Sequence, residues 1–326
     1  MMMGHGLHRN PFRFLITPTA VNADLFYDLS LAPASFWDHV RSDGGDIRVT
    51  KQDGITPVPI EIVGLNSTTK VGQLYFGTSS GTAFYVYYGN RQFVAPSASA
   101  TFGAYNVWES SAALVMHGDN IADSTVNQNA ASSPNPPSIV AGKVGSAMSF
   151  NGSTNVVNLG NGASLRVTGD ITIMAWVNVT NYSALRCLIS KSNSGGFPAP
   201  YDVYMTTGAG PYMSRGNGTL YASSNGTSSP AAGQWRHIAV TMAGTTVQYY
   251  VQGGTNGSSQ PLSTTIGDTG ENCAVGIRKD GATKMLGLID ELRLYNRALT
   301  ATEIARHYAN QNSPGTFWTT GTQELV

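Results

Sequence analysis

Along most of its length this sequence repeats with a period of two, and turn residues interrupt the repeat every few positions. Strand side chains point alternately to opposite faces, so a chain patterned this way folds into many short, half-buried strands. The repeat is clearest over residues 12–16, 46–50, 58–62, 72–76 and 83–88 in the first third. It returns over 171–179, 235–242, 247–251 and 286–295. Ala243-Gly244-Thr245, between two of these segments, predicts a tight hairpin. A short helix or turn fits 35–40, and one longer helix is predicted from Thr300 to Tyr308. There Thr300 and Glu303 have the spacing of a capping box. Strands at short spacing with turn clusters between them predict an all-β chain built as two tandem β-sandwiches.

Between 95 and 104 the chain turns small and polar and loses its apolar repeat, which predicts a connector. The expected layout is a first sandwich over 1–95, a linker over 96–106, a larger second domain over 107–310 and a tail over 311–326.

Composition narrows the range of functions. Charged residues make up only 12% of the 326, about half the usual share. Lys+Arg and Asp+Glu stand at 19 each, so no net field attracts a phosphate backbone, and nucleic-acid binding is excluded as the main task. No apolar run has the length of a membrane span. The start, Met1 to Pro11, has neither an apolar core nor a small-residue cleavage site, so it does not read as a secretory signal. A surface of Ser, Thr, Asn, Gln and Gly without that signal fits a virion protein, made in a host cytoplasm and released by lysis. Two cysteines, Cys187 and Cys273, form no disulfide framework and no metal cluster. Buried thiols and a single disulfide both remain open.

Four segments carry a resemblance. Gly142-Lys143-Val144-Gly145-Ser146-Ala147-Met148-Ser149-Phe150-Asn151-Gly152 resembles the opening signature of laminin G-type jelly rolls, which share the concanavalin A-like fold. Ile173-Met174-Ala175-Trp176-Val177 is similar to the central aromatic strand of that family, and Gly233-Gln234-Trp235-Arg236-His237 to its glycine-tryptophan-histidine strand. The run from Gly287 to Thr300, with Glu303-Ile304, resembles its closing strand and helix, and the resemblance implies a jelly roll with a short C-terminal helix. The first domain is similar to a β-domain family of unknown function found in phage and bacterial surface proteins. The match lies in Arg41 to Val49, Pro57 to Glu61 and Tyr85-Val86-Tyr87-Tyr88-Gly89-Asn90. It departs from that pattern at Gln73-Leu74-Tyr75-Phe76, where the family has a Trp-Val pair.

Alternation places Asp290 on one face with Leu286, Leu288, Leu292 and Leu294, where a carboxylate is costly unless hydrogen-bonded or metal-bound. The resemblance implies a structural calcium at the sandwich rim, with Asp119, Asn120, Asp123 and Asp290 as candidate ligands. The alternative is that Asp290 accepts backbone N–H groups and the others are turn residues. Sandwich lectins stack aromatic rings on sugars, and Phe197, Tyr201, Tyr212 and Tyr221 lie among Asn, Ser and Gly as candidate glycan contacts. Core packing and contacts to another subunit are the competing roles.

Catalysis has little to stand on. Gly77-Thr78-Ser79-Ser80-Gly81 matches a nucleophile elbow, but a strand-like segment follows where a helix is required. Hydrolytic concanavalin A-like relatives carry paired acids at alternate strand positions. Here Asp290 and Glu291 are adjacent and are expected on opposite faces. His237 is expected to be structural, and the Asn-Gly-Ser/Thr triplets at Asn151, Asn217, Asn225 and Asn256 to be turns. Two functions compete. One is a non-enzymatic phage decoration protein, homo-oligomeric, docked to other virion proteins and displaying a jelly roll towards host-surface glycans. The other is a bacterial extracellular adhesin or carbohydrate-binding module.

Overall fold

The alternating segments become strands of four sheets in the computed structural model, which describes residues 10–20, 24–77, 81–208, 210–228 and 230–326. The chain divides into two units. One comprises Met1–Glu109 with Ala309–Val326, the other Ser110–Tyr308.

The first unit is a sandwich of a six-stranded and a three-stranded sheet. Phe12–Pro18 runs at the centre of the larger sheet beside Phe84–Tyr88, and Asp24–Asp28, Val71–Gly77 and Ile60–Asn66 form the smaller. Phe14, Ile16, Val86 and Tyr88 from one sheet meet Leu25, Tyr27, Leu74 and Phe76 from the other in a shared apolar core. The two sequence motifs of this unit converge on Asp46, which is fully buried. Its carboxylate accepts N–H bonds from Arg41 (3.1 Å) and Gly89 (2.7 Å), tying the acidic loop to the Tyr-Tyr-Gly-Asn turn. Asn10 adds a second tie, donating to the Asp46 carbonyl and accepting from the Asn90 N–H.

The boundaries differ from the expected layout in two places. The supposed linker is folded: Ala100, Gly103 and Tyr105 close turns within it, and the Phe102 carbonyl accepts from the Ile60 N–H. Just beyond it Trp108 is buried, with its indole N–H on Glu61 (2.9 Å). The supposed tail forms strands Trp318–Thr320 and Glu324–Leu325, both paired antiparallel with Phe12–Pro18. Phe317 and Trp318 explain why, since they fill the first unit's core and Trp318 donates its indole N–H to the Phe26 carbonyl (2.7 Å).

In the second unit a nine-stranded and a six-stranded antiparallel sheet enclose the larger core. The central order of the first is Arg236–Ala243, Ile171–Val179, Leu286–Tyr295, Ser146–Asn151. The second runs Val157–Gly160, Cys273–Val275, Arg186–Ser192, Pro198–Thr206, Gly210–Gly216, Tyr221–Asn225. Inward residues alternate as the pattern requires: Ile173, Ala175 and Val177 on one sheet, Tyr201, Val203 and Met205 on the other. The expected hairpin forms with Ala243 opposite Thr246, and Gly244 takes the left-handed φ of +57° that its tight turn needs. The helix Ala301–Asn312 begins with the expected capping box: Thr300 N–H donates to Glu303 (2.7 Å) and Glu303 N–H to the Thr300 hydroxyl (3.2 Å). Both cysteines are free thiols in the interior, and burial pushes each above its ordinary pKa.

Candidate functional site

Four aromatic residues were candidates for sugar contact, and the six-stranded sheet of the second unit separates them. Tyr201 alternates with Val203 and Met205 towards the core, is 0% exposed, and donates its hydroxyl to the Leu165 carbonyl (3.0 Å). It is a structural residue. Tyr221 is 52% and Phe197 38% exposed, and their rings meet edge to face with centroids 5.7 Å apart. Tyr212 is half-buried, against Tyr204 at 5.9 Å. The strand register explains the grouping. Ser214 lies opposite Ser223, Tyr212 opposite Asn225 and Gly216 opposite Tyr221, so these residues share the outer face. A Cβ at Gly216 would fall 2.4 Å from the Leu220 carbonyl oxygen and 2.9 Å from the Tyr221 Cβ, so only glycine fits opposite the tyrosine.

A residue not picked out from the sequence holds the exposed pair in place. The Asn193 side chain accepts the N–H of Gly195 (3.0 Å) and Phe197 (3.1 Å) and donates to the Gly218 carbonyl (2.6 Å). It therefore joins the loop carrying Phe197 to the turn leading to Tyr221. In that turn the Asn217 side chain accepts from Thr219 and Leu220 N–H, as its Asn-Gly-Thr triplet led us to expect. Deeper on the same face Asp202 is buried and accepts from the Ser190 hydroxyl (2.6 Å). Burial pushes its carboxyl up to about 6, against the pull of that hydrogen bond. Arg278 lies over the Tyr204 ring at 6.0 Å and is held by both oxygens of Asp280.

Asp123, Asn120 and one carboxylate oxygen of Asp290 are engaged by hydrogen-bond donors of the protein. Asp123 is buried and accepts N–H groups from Val115, Thr125 and Asn129, together with the Thr125 hydroxyl and the Asn129 amide. Asn120 accepts from Ala122 N–H (2.6 Å) in the turn that also contains half-buried Asp119. Asp290 accepts the N–H of Lys143 and Val144, each at 2.8 Å. Among the described residues no group of three or more His, Cys, Asp or Glu is placed to hold a metal ion. A site loaded at a hundred times its dissociation constant adds about 2.7 kcal/mol of stability. We expect a thermal melt to be unchanged by a chelator; a drop in midpoint would reveal bound calcium.

Asp290 and Glu291 depart from the expected opposite faces because the strand bulges between them. Trp176 pairs with Asp290 but Met174 with Arg293, so two residues face Ala175. Before the bulge Ile289 points to the core; after it Leu292 and Leu294 do, while Leu286 and Leu288 are half-exposed. The row of four leucines around an aspartate is thus broken. Glu291 adopts φ of +49°, a left-handed conformation costly for a non-glycine residue. Its carboxylate is held by His117 Nδ1 (2.6 Å) and Arg293 Nη2 (2.7 Å), all of them buried. Burial alone would push Glu291 up, but His117 and Arg293 outweigh it and hold its carboxyl near 2. Asp290 goes the other way, raised by burial and by the adjacent Glu291 charge.

His307 of the closing helix approaches Arg293 (3.4 Å), and His237 packs between Trp176 (5.4 Å) and Tyr308 (5.9 Å). This polar network fastens helix to sheet, and the structural role expected of His237 is what its surroundings support. The glycine-serine match to a nucleophile elbow falls on 78–80, outside the described residues.

Residues 150–305 match the family model described as the concanavalin A-like lectin/glucanases superfamily. This region is a concanavalin A-like jelly roll. Among solved structures, the binding domain of Paraclostridial Mosquitocidal Protein 1 superposes with a TM-score of 0.51 at 14% identity, covering 61% of this chain and 52% of that one. The chain thus spans about half of that domain, and the likeness is one of fold. Domain 4 of AbnA, an extracellular arabinanase of Geobacillus stearothermophilus solved with arabinotriose, has a TM-score of 0.49 at 19% identity, covering 61% of this chain and 98% of its own. The receptor-binding domain of botulinum neurotoxin type G has a TM-score of 0.49 at 16% identity, covering 62% and 52%. No curated protein matches the chain.

Proposed function

We propose that this chain is a non-catalytic, lectin-like binding protein whose jelly roll contacts glycans through the outer face carrying Phe197 and Tyr221. The exposed aromatic pair carries the reading. Two rings held at a fixed angle beside a polar sheet give an apolar surface for a sugar ring and hydrogen-bonding groups for its hydroxyls. The shared fold with a toxin's binding domain supports a binding role. Glu291 and Asp290 are both engaged in structural contacts, which supports the non-catalytic reading.

On the same reading the first unit docks to other virion proteins and the chain works as a homo-oligomer on a phage surface. The low charge and the resemblance of the first unit to a β-domain family of phage and bacterial surface proteins support that placement. Electron microscopy of particles labelled with an antibody to this chain tests it; labelling absent from intact virions removes the virion assignment.

The glycan reading is tested on an array with the full chain. Tyr221→Ala and Phe197→Ala are expected to weaken binding roughly tenfold or more each, about 1.4 kcal/mol, with unchanged thermal melts. An array without hits, or exposed-ring variants that bind as the parent does, would count against the reading.

A further inference from the structure

We infer that the outer face of the six-stranded sheet reads a linear, uncharged oligosaccharide across several units rather than a single terminal sugar. The inference rests on the glycan-binding reading and adds the class of ligand.

The aromatic residues lie at the two ends of one polar floor. Phe197 and Tyr221 stand at one end, and Tyr212, opposite Asn225, at the other. Tyr221 and Asn225 are four residues apart on the same strand, which separates the ends by about 13 Å at the usual strand rise. One sugar ring cannot bridge that span, whereas a chain of linked rings lies along it. Between the ends Ser223 is exposed, while Ser214 opposite it is buried. The Ser223 hydroxyl can both donate to and accept from the hydroxyls of a sugar.

The charges on this face argue for a neutral ligand. Asp202 is buried beneath it and hydrogen-bonded to Ser190. Arg278 is held by Asp280 through two bonds of 2.8 and 2.5 Å, which raises its pKa further. An acidic sugar would have to break that pair to gain a partner.

The test is calorimetry on the full chain with three series of linear oligosaccharides, β-1,4-glucose, β-1,4-xylose and α-1,4-glucose, from monosaccharide to hexasaccharide, and with sialyllactose as the acidic probe. At least one neutral series is expected to gain about tenfold in affinity between disaccharide and tetrasaccharide. Tyr212→Ala should abolish that gain and leave disaccharide binding intact. Ser223→Arg, at an exposed position that tolerates a long side chain, should abolish it too. Affinity independent of length, sialyllactose bound as tightly as the neutral chains, or no binding in any series despite array hits would each overturn the inference while leaving the glycan reading in place. An array silent for all glycans would remove both.

Discussion

Arg293→Met is expected to destabilise the second unit by about 3–5 kcal/mol, the cost of stranding one member of a buried ion pair. Arg293 and Glu291 are both nearly inaccessible, and the guanidinium donates one of the bonds that hold the carboxylate. Without it Glu291 keeps His117 but loses the cation that balances its burial. The bulge compounds the loss, because the left-handed backbone at Glu291 is maintained by the contacts of its own side chain. For a unit of this size the change corresponds to a fall of roughly 10 °C in melting midpoint. Glu291→Gln combined with Arg293→Met removes both charges and should cost less than the sum of the single variants. Differential scanning calorimetry of the parent, the two single variants and the double variant decides. A shift below about 1 kcal/mol for Arg293→Met would show that this network contributes little net stability.

The second large effect is on the pH dependence of stability. His237 is fully buried among Trp176, Tyr308 and the Arg293 charge; burial first, then that charge, lowers its pKa from 6.5 to about 3. Between those values the unfolded chain binds a proton that the folded chain refuses. Stability is therefore lost as pH falls through 6.5, and the loss from this residue is complete only near 3. The full shift corresponds to about 4–5 kcal/mol, of which roughly 2–3 kcal/mol is lost by pH 4.5. His307 is lowered in the same direction by burial and by Arg293, and adds to the loss.

Other groups have different signs and windows. Asp290 and Asp202 are raised, so they favour the folded state as pH falls, whereas Glu291 withdraws stability between 4.5 and about 2. The readout is accordingly a difference. Urea unfolding of the parent and of His237→Phe, which keeps a ring between Trp176 and Tyr308, should diverge progressively below pH 6.5. Parallel curves down to pH 4 would show that His237 accepts its proton while folded.

How far the sequence could be read depended on whether a feature was local. The capping box at Thr300 and Glu303, the hairpin around Gly244 and the strand cores at Ile173 and Val240 follow from neighbours within a few residues, and all are present. Asp290 was singled out correctly as unusual, but its surroundings were not foreseen. One extra residue opposite Ala175 reverses the alternation, and no pattern in Leu286–Tyr295 announces it. Tyr201 could have been separated from Tyr221 in advance, since it alternates with Val203 and Met205 while Asp202 and Tyr204 take the other face. The Asn193 clamp was beyond reach, because it depends on the Gly218 carbonyl of a neighbouring hairpin. The strand at Trp318–Thr320 was missed for the same reason, as its partner is near the other end of the chain.

That last pairing bears on how the protein is made. Because Trp318 and the strand behind it complete a sheet begun by Phe12–Pro18, the jelly roll is an insertion within the first unit rather than a bead following it. During synthesis residues 110–308 emerge as one continuous stretch able to form its own core, whereas the earlier residues must wait for residues 309–326 to emerge. The unit that begins first is finished last, and a fragment ending near residue 95 would lack part of its own interior.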